Sequence, residues 1–312
     1  VALPFQFVYS DRYDLNLGAH VFPAVKYRLV YERLLAQGLA SPEDFVEPEP
    51  ASDEDILRVH TAPWVRRLKA GTLSEAELIR LEIPYSKEMA EAAWTAVGGS
   101  ILAGKLALRD GLGFNIGGGF HHAFSGHGEG FCPLNDIAIA IRSLQHAGKI
   151  RRAMVVDVDV HHGNGTAAIF ADDPTVFTLS IHQYRNYPYE KPPSDLDIHL
   201  EDACTDEEYL GRLHELYPPV VFEHQPELLV HVAGADPYHQ DQLGGLALTL
   251  EGLKKRDRMV IETARQRDVP VAVVLAGGYA VNVEDTVAIH VNTAVAAKEV
   301  MEGAGRRSAG SA

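Results

Sequence analysis

Apolar positions along the chain fall into short runs that alternate with stretches of helical periodicity. The runs at 5–9, 113–116, 153–156, 176–181, 228–233 and 271–275 are mostly rich in branched apolar residues and read as strands. Several are apolar on both faces, the pattern of strands buried inside a parallel sheet. Between them, 23–37 carries Val25, Leu29, Val30 and Leu34 at helical spacing and stops at Gly38. Further helices are expected at 87–109, 134–146, 205 to about 222, 246–267 and 283–301. Ser74–Glu77 and Thr205–Glu208 have the spacing of capping boxes. The acidic, proline-bearing stretch 41–52 and the Tyr- and Pro-rich stretch 184–193 read as loops, and the small polar tail from 303 as frayed. Strands alternating with helices predict an α/β fold with a mainly parallel sheet, in one domain over 1–312.

Chemistry gathers just after the predicted strands. Asp157, Asp159 and His161 follow the 153–156 run at spacing two. Alternation along a strand puts all three on one side and Val158 and Val160 on the other. Three ionisable groups there are costly to bury without partners. A metal is the simplest partner, and Asp with His is a set suited to zinc. A salt-bridged strand end is the plain alternative. In open α/β sheets, ligands bind at the carboxyl ends of strands. Five such ends carry suspicious residues: 117–122, 157–165, 180–182, 234–236 and 277–279. Asp236 would complete the three protein ligands typical of catalytic zinc, although before Pro237 it could equally be a turn residue.

His121 and His122 follow three glycines, and two imidazoles beside a metal-bound water can act as general base and acid. Asp157 and Asn164 are the candidates to orient those rings. Tyr279, after Gly277 and Gly278, could donate to a developing oxyanion, or could simply pack at a rim. Ser180 and His182 are weaker signals. Neither a Walker lysine pattern nor a dinucleotide fingerprint occurs.

Composition narrows the function classes. Hydrophobic residues make up 46% and charged residues 23%, ordinary for a globular protein. No apolar run reaches membrane-span length, and the first ten residues lack a signal-peptide pattern. Cys132 and Cys204 are the only cysteines, too few for a disulfide framework, which fits a cytoplasmic location. A net charge of −15 argues against non-specific nucleic-acid binding and suits a cationic partner, or serves solubility alone. The oligomeric state is not legible.

Five motifs together are specific: Gly-Gly-Phe-His-His (118–122), Gly-Phe-Cys-Pro-Leu-Asn-Asp (130–136), Asp-Val-Asp-Val-His-His-Gly-Asn-Gly (157–165), Ala-Gly-Ala-Asp (233–236) and Gly-Gly-Tyr (277–279). In order and spacing they resemble the zinc-dependent histone deacetylase family, from residue 23 to about 290. The resemblance implies the arginase–deacetylase fold, a three-layer α/β/α sandwich with a mainly parallel sheet of about eight strands. It implies Asp159, His161 and Asp236 as zinc ligands. It implies His121 and His122 as catalytic histidines backed by Asp157 and Asn164, and Tyr279 as the carbonyl-polarising hydroxyl. Potassium is implied near Asp157, Asp159, His161, Ser180 and Ile181. A more peripheral potassium site is implied at backbone oxygens near Phe170, Asp173 and Val176. Gly130, Phe131, Tyr187 and Leu243 fall on the substrate tunnel.

The chain departs from the class I enzymes in having Asn164 where many members carry Asp. It also lacks an acidic residue around 83–85 of the kind that grips substrate backbone. With Leu-Gly-Ala-His-Val-Phe-Pro (17–23), it looks closer to class IV and its bacterial relatives. Leu243 stands where acetylpolyamine specialists carry a glutamate. The expected activity is hydrolysis of N-acyl-lysine in a protein or peptide, or of a small acylated amine. A dimanganese ureohydrolase of the same fold and a non-catalytic acyl-lysine binder are the rivals. Metal count separates the first and peptide turnover the second.

Overall fold

In the computed structural model, which describes residues 3–309 and side chains as far as 303, all six apolar runs form strands. The strands are β1 (Gln6–Val8), β2 (Phe45–Val46), β3 (Leu112–Asn115), β4 (Ala153–Asp157), β5 (Val176–Gln183), β6 (Leu196–Leu200), β7 (Leu228–Ala233) and β8 (Val271–Leu275). They make one eight-stranded sheet in the order β2-β1-β3-β8-β7-β4-β5-β6, and every pairing is parallel. All residues of β3, β4, β7 and β8 are buried, which explains why they are apolar apart from Asn115, Asp157 and His231.

The helices are α1 (Val25–Ala36), α2 (Asp53–Ile56), α3 (Ala62–Ala70), α4 (Glu75–Leu81), α5 (Lys87–Asp110), α6 (Asp136–His146), α7 (Asn164–Phe170), α8 (Asp206–His224), α9 (Leu250–Arg265) and α10 (Val283–Ala309). They cover both faces of the sheet. Met154 and Val156 of β4 pack in one core with Leu34 of α1, Leu213 of α8, Ile261 of α9 and Val287 of α10. Ala153 and Val155 pack on the opposite side with Ala107 of α5 and Ile137, Ile141 and Leu144 of α6. Period-two alternation along β4 thus feeds two separate cores, the mark of a three-layer sandwich.

Five boundaries differ from the sequence expectation. The 41–52 stretch is not all loop, because Phe45–Val46 pairs with β1 at one sheet edge. β6, at the other edge, follows the Pro-rich loop and was not foreseen. Helix α9 begins at Leu250, capped by the Thr249 side chain, rather than at 246. Backbone helicity in α10 continues to Ala309, past the expected end at 301 and through the start of the tail thought to fray; 310–312 lie outside the described residues. β4 stops at Asp157, so Asp159 and His161 are not strand residues. Both capping boxes are present, Ser74 with Glu77 and Thr205 with Glu208. Because every strand runs the same way, all five candidate segments emerge at the carboxyl ends of the strands.

Candidate active site

Strand alternation does not align Asp157, Asp159 and His161. The chain leaves the sheet after Asp157, and hydrogen bonds to main-chain N–H groups impose the convergence instead. Asp157 Oδ1 accepts from Asp159 N (3.2 Å), and Asp159 Oδ1 accepts from His161 N (3.0 Å). Asp159 Oδ2 accepts from Gly277 N (2.8 Å), which ties this loop to the end of β8. Asp236 Oδ1 accepts from Val160 N (2.9 Å), which ties in the end of β7. His161 Nδ1 then lies 3.0 Å from Asp159 Oδ1 and 3.3 Å from Asp236 Oδ2. One donor atom from each of Asp159, His161 and Asp236 falls within 4.8 Å of the other two.

Asp236 Oδ2 is buried and has no hydrogen-bond partner, although it nearly touches an imidazole nitrogen. Contact without alignment is what two ligands of one ion show. Burial, then the neighbouring Asp159, push the Asp236 carboxyl up to about 7. Burial opposes the charge on His161, but Asp159 and Asp236 outweigh it and hold the ring at about 10. Buried groups that hold protons this strongly are the kind a bound cation would relieve. Gly277 leaves the space: a Cβ there would come within 2.0 Å of Asp236 Oδ2 and 2.7 Å of Asp159 Oδ2. Two carboxylates and one imidazole fit zinc with a coordination position left open.

The two histidine rings lie side by side, centroids 4.0 Å apart and planes tilted by 49°. His121 Nδ1 lies 2.7 Å from Asp157 Oδ2, and His122 Nδ1 lies 2.7 Å from Asn164 Oδ1. Both predicted pairings are therefore formed. Their electrostatics differ sharply. Burial disfavours charge on His121, but Asp157 and Asp159 hold it at about 9. Burial, then His121 and His161, drive His122 well below the usual imidazole range. Tyr279 is buried, and burial followed by Asp236 and Asp159 keeps its phenol protonated.

A cavity of about 430 Å³ opens above the ligands, lined by Gly130, Phe131, Tyr187, Leu243, His122, His161 and Tyr279. All four tunnel residues read from the resemblance meet there. Phe131 has φ 68 and follows Gly130 at φ 51, so this wall turns through two left-handed residues. For a phenylalanine that conformation is strained, and such strain concentrates at working sites. Asp157 and Ser180 are register partners across β4 and β5, with Ile181 next in β5. Asp173 N donates to Phe170 O and Val176 N to Asp173 O, forming two successive turns.

A model of the histone deacetylase domain matches residues 20–295. The chain belongs to the histone deacetylase family. An uncharacterized protein from Picosynechococcus is 42% identical over 281 residues, covering 90% of this chain and 94% of that one. Histone deacetylase 2 of Arabidopsis thaliana is 32% identical over 293 residues, covering 87% of this chain and 74% of that one. The crystal structure of the HDA15 HD domain superposes with a TM-score of 0.79 over 96% of this chain and 88% of that one, at 22% identity, so the fold is shared. The eight-stranded sandwich is thus the arginase–deacetylase fold, and the protein is a hydrolase of the deacetylase class. No helix among the described residues is long and apolar enough to cross a membrane.

Three residues of this deacetylase escaped the sequence reading. Glu129 Oε1 accepts from Asn164 Nδ2 at 2.6 Å, so a carboxylate stands one residue behind the amide that faces His122. Its only sequence signal was its place beside Gly130. Glu82 lines the cavity mouth, immediately before the 83–85 stretch that was read as lacking an acid. Its left-handed backbone (φ 57), closing α4, gave no pattern to read. Lys26 is fully buried, and its Nζ donates to Ala276 O at 2.6 Å. Burial lowers its pKa to about 8 against the pull of Asp236, Asp159 and Asp241. Lys26, Val30 and Leu34 recur at helical spacing, so a cation on the apolar stripe of α1 was a legible signal.

Proposed function

We propose that this deacetylase is a zinc-dependent hydrolase that removes acetyl or longer acyl groups from N-acyl-lysine side chains, with residues 1–312 as one catalytic domain. The observation that carries the reading is the ligand group Asp159, His161 and Asp236, whose His161 lines the same cavity as His122 and Tyr279. Zinc held there supplies a Lewis acid that polarises the amide carbonyl and lowers the pKa of a water to about 7.

The chain's own residues do the rest. His122 is neutral and faces the cavity, so it takes the proton of the attacking water. His121, paired with Asp157, keeps its proton and favours the negative charge that develops beside it. Tyr279 donates its phenolic hydrogen to the oxyanion of the tetrahedral intermediate. As the C–N bond breaks, the proton on His122 passes to the leaving amine. Phe131 and Tyr187 flank the aliphatic stem of the lysine. Potassium at Asp157, Asp159, His161, Ser180 and Ile181 belongs to the same reading.

Two tests address it. Asp159→Ala, His161→Ala and Asp236→Ala should each lose one zinc relative to the parent chain, together with turnover of an acetyl-lysine peptide. Full zinc and full turnover in any of them removes that residue from the ligand set. The acidic Glu82 at the mouth favours a second reading, an acetylated polyamine, while Leu243 argues against it. A panel of acyl-lysine peptides and acetylpolyamines compared by kcat/KM decides between them.

A further inference from the structure

A second group of metal-type donors lies beside the first. His162 follows the ligand His161, and both His162 and His182 are fully buried. His182 sits in β5 and pairs in register with His199 of β6, just as Ser180 pairs with Asp197. Residues two apart share a face of a strand, so Asp197 and His199 project to the same side as Ser180 and His182. The turn after β4 brings His162 onto that face. One donor atom from each of His162, His182 and Asp197 lies within 4.8 Å of the other two.

The spacing suits coordination. His162 Nε2 is 3.1 Å from Asp197 Oδ1, and His182 Nε2 is 3.1 Å from His199 Nδ1. Metal–donor bonds of about 2.0–2.1 Å in a tetrahedron set donor–donor distances near roughly 3.3 Å. Asp197 Oδ1 is buried and close to the imidazole, yet has no aligned hydrogen bond. Asp236 Oδ2 shows that same signature in the catalytic group. Ser180 Oγ lies 2.9 Å from His182 Nδ1, which turns Nε2 toward the cluster and fixes the ring as outer partners of metal ligands do. Ser194 Oγ lies 3.3 Å from His162 Nε2.

We propose that His162, His182 and Asp197 form a second metal site, distinct from the catalytic one. Imidazole with a single carboxylate selects zinc or a neighbouring transition metal over calcium or magnesium. Asp197 and His199 border an open surface cleft with Tyr184, Tyr187 and Tyr189, so an ion enters from solvent. The site joins the edge strand β6 to the loop that carries His161. It thereby braces the wall from which Tyr187 faces the substrate cavity.

The competing account is a metal-free hydrogen-bond chain through Ser180, His182 and His199 beside a His162–Asp197 ion pair. The two separate when chelated protein is titrated with cobalt(II), reading bound metal and the visible d–d absorption. The parent chain should bind two equivalents, and Asp236→Ala should retain one. Asp197→Asn combined with His199→Ala should also leave one, with turnover of zinc-loaded protein still measurable. Adding Asp236→Ala to that pair should leave none. His199 is exposed and Asp197 half-buried, so these variants fold, as circular dichroism will verify. One equivalent in the parent and none in Asp236→Ala overturns the second site while the catalytic assignment stands. Two equivalents retained in the Asp197→Asn/His199→Ala chain overturns it as well. Loss of nothing on Asp236→Ala would instead strike at the catalytic ligand set.

Discussion

Asn164 bridges two groups of opposite demand: its carbonyl faces His122 at 2.7 Å while its amide donates to Glu129 at 2.6 Å. The neutral residue thus stands between an imidazole and a carboxylate. Asn164→Asp places a second carboxylate against Glu129, and like charges at that range discourage double ionisation. The variant should therefore move the kcat/KM–pH profile upward only slightly. Asn164→Asp with Glu129→Gln restores an amide donor to the new carboxylate and should move the profile further, because an ionised Asp stabilises imidazolium on His122. Profiles of both variants superimposing on the parent would break the link from Asn164 to the histidine.

In the proposed mechanism Tyr279 acts through its hydroxyl alone. Tyr279→Phe keeps the ring that packs against Phe131, with centroids 5.9 Å apart, and should keep zinc and thermal stability. Turnover should fall by roughly 10²–10³, the usual effect of deleting one oxyanion donor. A loss in kcat below fivefold would leave Tyr279 as a wall of the cavity only.

Gly277 offers a way to disturb the ligands without removing one. A methyl group there would drive into Asp236 Oδ2 and Asp159 Oδ2. Gly277→Ala should sharply reduce zinc content per chain, measured by elemental analysis, although all three ligands remain. Parent-level zinc in a folded Gly277→Ala protein would show that the carboxylates have room the geometry denies.

His60 carries a pH dependence well away from the ligands. Its Nε2 accepts from the main-chain N–H of Asn135, the N-cap residue of α6, at 2.9 Å, which requires a neutral ring. Burial lowers its pKa from 6.5 to about 4. The unfolded chain therefore binds the extra proton first as pH falls. The contribution to stability is complete above the unfolded value and drains away as pH drops toward the folded one. Roughly 2 kcal/mol should be lost between about pH 7.5 and 5. Urea unfolding at both pH values measures it, and His60→Gln should remove most of that loss.

How much could be read in advance follows from burial. Leu228–Ala233 is covered on both faces, and its run, apolar but for His231, announced a strand. Phe45–Val46 and Leu196–Leu200 are edge strands, partly exposed and preceded by prolines, so local composition spoke for loop. The ligands were legible as a spacing, but for an incomplete reason. Asp159 and His161 converge through bonds to main-chain N–H groups after the strand ends, which no alternation rule contains. Glu129 and Glu82 act through neighbours distant in sequence, Asn164 and the cavity mouth, and only the tertiary fold brings those together.

The ligand carboxylates of the catalytic group are moored by amide N–H groups of Val160, His161 and Gly277. Every residue except proline presents that same donor. The mould for the ion is therefore cast in backbone, and drift in the side chains around it leaves the anchorage in place.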